Sequence, residues 1–111
     1  GLCTVWVDGK SRLSCSILAA GIDGHEVTTL EGVQKEAEEF GRFLAAEGAE
    51  QCGFCSPGFV MNVLAMFREL EDPSVDEIKQ YLAGNLCRCT GYMGQLRAIQ
   101  KYMQSKKEEQ A

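Results

Sequence analysis

Long apolar runs, proline and histidine are all scarce in this sequence, which has two prolines and a single histidine among 111 residues. No apolar run approaches the roughly 18 residues that a membrane-spanning helix needs, so we predict no membrane span. The first eight residues have neither a basic start nor a long apolar stretch, and they therefore indicate no secretory signal. On these grounds we expect a cytoplasmic protein.

The single histidine, His25, limits the chemistry that the chain can perform by itself. It lies far along the sequence from the paired cysteines at 52–55 and 87–89. Nucleophilic catalysis by a Cys/His or Ser/His/Asp set is therefore not indicated, because such sets need a histidine as the base. We assign His25 no functional role.

Positive charge is also in short supply, with 11 Lys and Arg against 16 Asp and Glu and a net charge of −5. Binding to nucleic acid needs clustered Lys and Arg opposite the phosphates. The basic cluster at 101–107 is followed directly by Glu108 and Glu109, a pattern typical of a solvated tail. We therefore expect no nucleic-acid partner.

Cysteine, in contrast, is abundant. The six cysteines are Cys3, Cys15, Cys52, Cys55, Cys87 and Cys89. Three disulfides in a small secreted protein are one interpretation. Two observations count against it: the helical segments can build a core without cross-links, and a bridge between Cys87 and Cys89 is strained by the single intervening residue.

The first 30 residues predict β-structure with one short helix. A β-branched and aromatic run at 4–7 predicts a strand, and Asp8-Gly9 after it is a hairpin turn signal. The apolar segment 14–20 predicts a short helix, and 26–30 predicts another strand. Two or three short strands rarely form a stable sheet alone in water, so this segment needs further structure to pack against.

Residues 31–111 predict four amphipathic helices packed as a compact bundle. The first ends at Gly48, the second has Ser56 as its N-cap with proline next, and the third starts at a capping box of Ser74 and Glu77 and ends at Gly84. The fourth is predicted to start near Thr90. Its predicted apolar face comprises Tyr92, Leu96, Ile99 and Met103.

Four of the cysteines form a C-x2-C pair at 52–55 and a C-x-C pair at 87–89, each in a loop before a predicted helix. Helix N-termini present free N–H groups and a positive dipole end, which favour thiolates or an anionic cluster. Four soft thiolates select zinc or an iron–sulfur cluster. Zinc pairs usually have two to four intervening residues, so the C-x-C pair fits zinc less well, but the spacing leaves both metals open.

Three segments resemble the [2Fe–2S] subunits and domains of the xanthine dehydrogenase type, within the molybdenum hydroxylases. They are QCGFCSPGF at 51–59, GNLCRCTGY at 84–92 and DGHEVTTLEG at 23–32. The resemblance implies a helical domain whose [2Fe–2S] cluster is the one nearer the molybdenum cofactor. It also implies that four cysteines hold this cluster: Cys52, Cys55, Cys87 and Cys89.

The family has a second [2Fe–2S] cluster in a plant-type ferredoxin domain with a C-x4-C-x2-C pattern. The segment GLCTV at 1–5 resembles the end of that pattern, and Cys15 lies where the fourth ligand belongs. The first two ligands and the sheet before them are not within the chain. The resemblance thus implies an α+β protein in which residues 1–30 are the C-terminal part of an incomplete ferredoxin (β-grasp) domain, with Cys3 and Cys15 as a partial ligand set. Residues 31–111 are the helical domain.

By the same resemblance, the chain is an electron-transfer subunit that does not bind substrate. A large partner subunit would bind molybdopterin, and a medium subunit would bind FAD. The Gln51 amide would contact the pterin, with Cys89 against the same pterin. Two alternatives are a zinc-stabilised helical module that mediates protein contacts and a freestanding ferredoxin. Visible absorption separates the zinc module from an iron–sulfur protein, because iron–sulfur clusters are coloured.

Overall fold

The computed structural model describes residues 1–110, which form a three-stranded sheet and four α-helices. The strands are β1 (Thr4–Val7), β2 (Lys10–Leu13) and β3 (Val27–Thr28), and the helices are α1 (Gln34–Ala46), α2 (Ser56–Glu69), α3 (Val75–Tyr81) and α4 (Met93–Gln110). Ala111, the last residue of the predicted helical domain, lies outside the described residues. No helix in residues 1–110 is both long and apolar enough to cross a bilayer.

Strand β1 lies in the centre of the sheet and pairs antiparallel with β2 on one side and β3 on the other. The β1–β2 hairpin turns at Asp8 (φ 52°) and Gly9 (φ 80°). Tight two-residue hairpins of this twist need positive φ at both central residues, which Asp-Gly tolerates well. The predicted strand at 4–7 and its hairpin turn are confirmed.

The predicted helix at 14–20 is wrong. The segment instead contains two short 3₁₀ turns, Ser14–Ser16 and Ala19–Ile22. Ile17 and Leu18 between them have extended backbone angles, which interrupt a continuous helix. The predicted strand at 26–30 is shortened to β3, because the chain enters a third 3₁₀ turn at Leu30–Val33.

Helix α2 is the centre of the fold. Its residues 58–66 are all buried, so it is covered on every side, as expected for a helix that is mostly apolar all round. Strand β1 covers one side through Trp6, which is only 2% exposed and donates from its indole Nε1 to the Met61 carbonyl oxygen at 2.9 Å. The Arg68 guanidinium lies 4.3 Å from the centre of the Trp6 ring. The sheet and the helices therefore share one hydrophobic core.

Helices α1 and α4 pack against each other beside α2 through an aromatic cluster centred on Tyr102. The Tyr102 ring lies 5.3 Å from Phe40 and 5.4 Å from both Phe43 and Phe67, measured between ring centres. At the end of α1, the Glu47 carboxylate accepts hydrogen bonds from two basic side chains of α4, Arg97 and Lys101. These contacts fix α4 in place along the length of α1.

The ends of the helices follow the local sequence signals in part. The capping box at the start of α3 is confirmed, because Ser74 Oγ accepts from the Glu77 N–H at 3.2 Å and Glu77 Oε1 accepts from the Ser74 N–H at 3.0 Å. Helix α2 has Cys55 rather than Ser56 as its N-cap, and the Ser56-Pro57 pair forms its first helical residues. Helix α3 ends at Tyr81, three residues before Gly84.

Helix α4 begins at Met93 rather than near Thr90, because Gly91 (φ 69°) and Tyr92 (φ 74°) have left-handed backbone angles that no α-helix can continue. Of the predicted apolar face, Ile99 is buried and Leu96 and Met103 are half-buried against the core, whereas Tyr92 is 44% exposed and was wrongly included. The observed buried residues of α4 are Gly94, Gln95, Ala98, Ile99 and Tyr102.

Candidate metal centre

The two cysteine loops meet at the N-terminus of α2. Cys55 is the N-cap of this helix and accepts the first backbone hydrogen bond, from the Phe59 N–H at 3.0 Å. Gly53 has φ 82°, which turns the loop so that both Cys52 and Cys55 lie at the same end of the helix. Because the first N–H groups of a helix lack partners within it, this end suits anionic sulfur.

The four thiols of these loops lie as two pairs, each pair joining one residue from each loop. Cys55 contacts Cys87, and burial together with this contact raises the pKa of the Cys55 thiol. Cys89 contacts Cys52, and this contact raises the pKa of the Cys89 thiol. Within residues 1–110, no three Cys, His, Asp or Glu side chains converge closely enough to hold a single metal ion.

Four thiols that line one cleft are the donor set of a [2Fe–2S] cluster. A zinc site of four thiolates places all four sulfurs around a single centre. A [2Fe–2S] cluster instead divides its four ligands between two irons, as the two-and-two ligation of Rieske centres shows. The residues present therefore suit an iron–sulfur cluster, which the four thiols would hold together.

The turn after the second cysteine pair holds Cys87 in place through two residues that the sequence analysis did not assign to the site. Thr90 Oγ1 donates to Cys87 Sγ at 3.2 Å, and this bond lowers the pKa of the Cys87 thiol to about 7. The Cys87 N–H donates to the Tyr92 hydroxyl at 3.0 Å, and the Tyr92 N–H donates to Thr90 Oγ1 at 3.2 Å. The left-handed turn at 91–92 thus folds Thr90 and Tyr92 back onto Cys87.

A third residue, Gln95, contacts the site from the first turn of α4. Its side chain is buried, and its Nε2 donates to Cys55 Sγ at 3.8 Å. The sequence analysis missed Gln95 because the predicted core-facing residues of α4 were all apolar and did not include this polar residue. One signal in the sequence could have found it: Gln95 lies at helical spacing from Ala98 and Tyr102, which are both buried.

A cleft of about 500 Å³ lies at the two loops, and its lining includes all four cysteines. Cys52 and Cys89 are exposed, whereas Cys55 and Cys87 are partly covered. The remaining lining side chains are mostly apolar and solvent-exposed: Phe54 at 71%, Leu86 at 76% and Tyr92 at 44%. Large apolar side chains that are grouped and exposed in this way are typical of interaction surfaces.

Gln51, predicted to contact the pterin, lies on the exposed surface next to Cys52. Its Nε2 is 3.5 Å from the Gly48 carbonyl oxygen, at the long limit for a hydrogen bond. The amide is therefore held only weakly by the chain itself. Its pterin contact stays a prediction.

Cys3 and Cys15 form a third thiol pair, on the sheet side of the molecule. The two side chains are in contact, which raises the pKa of Cys3. Ser14 holds the neighbouring backbone by donating from both its N–H and its hydroxyl to the Cys3 carbonyl oxygen, at 3.0 and 2.8 Å. All six cysteines are free thiols in the structure, so the three-disulfide interpretation is not supported.

The family model and the most similar proteins that we compared point to the same family. Residues 29–100 match the family described as the [2Fe-2S] binding domain. The chain is 47% identical over 100 residues to a probable xanthine dehydrogenase subunit of Bacillus subtilis, covering 88% of this chain and 57% of that protein. It is 49% identical over 96 residues to the xanthine dehydrogenase iron-sulfur-binding subunit of Escherichia coli O157:H7, covering 83% and 60% respectively. The chain thus spans less than two thirds of either relative.

The fold also has a counterpart among solved structures. The aldehyde oxidoreductase from Desulfovibrio desulfuricans superposes with a TM-score of 0.87 at 34% sequence identity, over 98% of this chain and 13% of that protein. The match covers the small sheet and the four helices together. From the matched residues and these identities, we conclude that the chain belongs to the [2Fe–2S] binding domain family.

Proposed function

We propose that the chain is the electron-transfer iron–sulfur component of a molybdenum-containing hydroxylase or dehydrogenase. The observation that carries this proposal is that the thiols of both loops, Cys52, Cys55, Cys87 and Cys89, line one cleft. The relatives support it, since two of them are named as xanthine dehydrogenase subunits. The whole complex would relay electrons from a molybdopterin site through two [2Fe–2S] clusters to a flavin or another acceptor.

In this proposal the four cysteines of the cleft hold one [2Fe–2S] cluster, which supplies one-electron redox chemistry when bound. The chain's own residues set its surroundings. Thr90 and Gln95 donate to the sulfurs of Cys87 and Cys55, the pair on the protein side of the cleft. Cys52 and Cys89 lie on the open side, which leaves them free to face a partner subunit.

Cys3 and Cys15 would be two of the four ligands of a second [2Fe–2S] cluster. Their side-chain contact supports a shared site. The other two ligands would precede Gly1 in a longer protein. Residues 1–30 are then the closing part of a plant-type ferredoxin (β-grasp) domain, and residues 31–111 are a four-helix cluster-binding domain.

The exposed apolar rim of the cleft is the proposed contact with a large molybdopterin-binding subunit. Phe54 and Leu86 are among the most exposed large apolar side chains of the chain, and both border the thiols. Burying them against a partner removes apolar surface from water and closes the cleft. Gln51 and Cys89 would then contact the pterin, and a medium FAD-binding subunit would accept the electrons.

The experiment that tests this proposal is an analysis of metal and sulfide in the full-length protein. We expect iron and acid-labile sulfide, with visible absorption. A Cys87→Ser variant should lose the signal of one cluster and keep the other, whereas a Cys15→Ser variant should lose only the second. Stoichiometric zinc without iron would overturn the proposal, and a single kind of cluster would overturn the assignment of Cys3 and Cys15.

A further inference from the structure

We propose that Gln95 raises the reduction potential of the cluster held by the cleft cysteines, by donating a hydrogen bond from its buried amide to the sulfur of Cys55. Gln95 is a positioning and tuning residue in this proposal rather than a ligand. The inference rests on the proposed role of Cys55 as a ligand. It goes beyond that role by assigning a specific function to a side chain of helix α4.

The position of Gln95 in the core makes this contact unusual. The side chain is 4% exposed and shares the buried face of α4 with Ala98, Ile99 and Tyr102. A buried amide costs free energy unless its N–H groups find acceptors. Within the described residues, the acceptor found for its Nε2 is Cys55 Sγ at 3.8 Å. An apolar side chain would fill the same space without this cost, so stability alone does not account for a glutamine here.

The contact has a defined electrostatic consequence. Reduction adds one negative charge to a cluster and its thiolates, and hydrogen bonds to the sulfurs stabilise that charge. The Gln95 amide lies where water is largely excluded, so its dipole is poorly screened. It therefore stabilises the reduced form more than the oxidised form. Removing the donor should make the cluster harder to reduce.

A second donor reinforces the same side of the site. Thr90 Oγ1 donates to Cys87 Sγ, and Cys87 is the thiol in contact with Cys55. Thr90 and Gln95 thus donate hydrogen bonds to the two neighbouring sulfurs, those of Cys87 and Cys55. Gln95 differs from Thr90 in being on a helix that packs firmly on α1, so its amide is held at a set distance from the sulfur.

The test is a redox titration of the full-length, cluster-loaded protein, monitored by electron paramagnetic resonance. Gln95→Met keeps the side-chain length without the donor, and Gln95→Leu removes the donor with a compact side chain. In both variants we expect the ratio of reduced to oxidised cluster at a fixed potential to fall by about three- to tenfold; a tenfold change corresponds to about 59 mV for one electron. Gln100→Leu, on the exposed side of the same helix, should leave the ratio unchanged.

A spectroscopic readout separates tuning from mere packing. Loss of a hydrogen bond to Cys55 should strengthen the iron–sulfur bond and raise an Fe–S stretching frequency in resonance Raman spectra of the Gln95→Met variant. If the variants keep their full iron content and the ratio of reduced to oxidised cluster is unchanged, the proposed role of Gln95 is overturned but the ligand assignment is not. Loss of the cluster from both Gln95 variants would show a structural role and also overturn it. Absence of iron from the wild-type protein would instead overturn the ligand assignment on which the inference rests.

Discussion

Gly58, in the first turn of helix α2, lies directly against the backbone of Gly1. A β-carbon on Gly58 would overlap the Gly1 carbonyl oxygen and would lie 2.8 Å from both the Gly1 carbonyl carbon and Leu2 Cα. The Gly1 nitrogen also donates to the Gly84 carbonyl oxygen at 2.8 Å. The segment that precedes Cys3 is thus held against the two loops of the cleft, which sets the relative position of the two thiol regions.

Replacing Gly58 with Ala should therefore destabilise the protein, because the new methyl group must displace main-chain atoms rather than a flexible side chain. We expect a loss of about 1–3 kcal/mol in the free energy of unfolding, measured by urea denaturation. Gly41→Ala in helix α1 is the control, since no atom lies within 4 Å of its would-be β-carbon. That variant should be equally or more stable by up to about 1 kcal/mol. Equal effects of the two substitutions would contradict the close contact.

Trp6→Phe should weaken the attachment of the sheet to helix α2. Phenylalanine keeps most of the buried apolar surface but loses the hydrogen bond from the indole to the Met61 carbonyl. We expect a loss of about 1 kcal/mol in the free energy of unfolding, the usual net value of one buried hydrogen bond. An unchanged denaturation midpoint would show that this bond contributes nothing to the docking of β1.

Ser74→Ala should destabilise helix α3 by removing its N-cap. The serine hydroxyl accepts from the Glu77 N–H, which has no other partner in the first turn. The expected loss is about 1 kcal/mol, measured by thermal or urea unfolding. Ser105→Ala, inside helix α4, should change stability by no more than about 0.5 kcal/mol, because alanine is the better helix former there. If Ser74→Ala changes the stability as little as Ser105→Ala does, the N-cap does not contribute to stability.

Glu47 gives a pH dependence with a defined sign. Hydrogen bonds from Lys101 and Arg97 lower the pKa of its carboxyl group below the ordinary value of 4.5. Because the folded pKa is lower than the unfolded pKa, this stabilisation is fully present above about pH 4.5 and is lost as the pH falls through the folded pKa. Glu47→Gln should be less stable than wild type at pH 7, with the difference shrinking in acid.

Unfolding curves between pH 3 and 7 would measure this effect. The matched control is Glu50→Gln, an exposed carboxylate three residues further along the chain. It should have nearly wild-type stability at pH 7, because substitutions at exposed positions usually change stability by no more than about 0.5 kcal/mol. A Glu47→Gln deficit that is the same at every pH would mean that packing, rather than the ion pairs, is responsible.

Gln51→Ala tests the proposed contact with the pterin in the complete complex. The variant should keep its iron, because no ligand is removed, but substrate should reduce its clusters more slowly, by up to about tenfold for the loss of one hydrogen bond. Rapid-mixing absorbance measurements would follow this reduction. Gln104→Ala on the surface of α4 should behave as wild type. Unchanged reduction and molybdenum content in Gln51→Ala would leave Gln51 as an ordinary loop residue.

Local signals in the sequence were sufficient for several elements. Asp8-Gly9 tolerates the positive φ angles of its turn, and the Ser74–Glu77 capping box needs only residues three apart. These features depend on neighbours in sequence, so they could be predicted without the fold. The extended break at 17–18 and the late start of α4 at Met93 could not, because nothing local forbids a helix at those positions.

By itself, the sequence determined the chemistry that is available to this protein: four thiols in two short motifs, one histidine, and more acidic than basic residues. Only the tertiary structure decided how those thiols combine. Helix α2 and the first turn of α4 pack together across 40 residues of sequence, which pairs the cysteines of one loop with those of the other and brings Gln95 to Cys55. Such long-range contacts arise from the packing of whole helices, and residue spacing along the chain does not predict them.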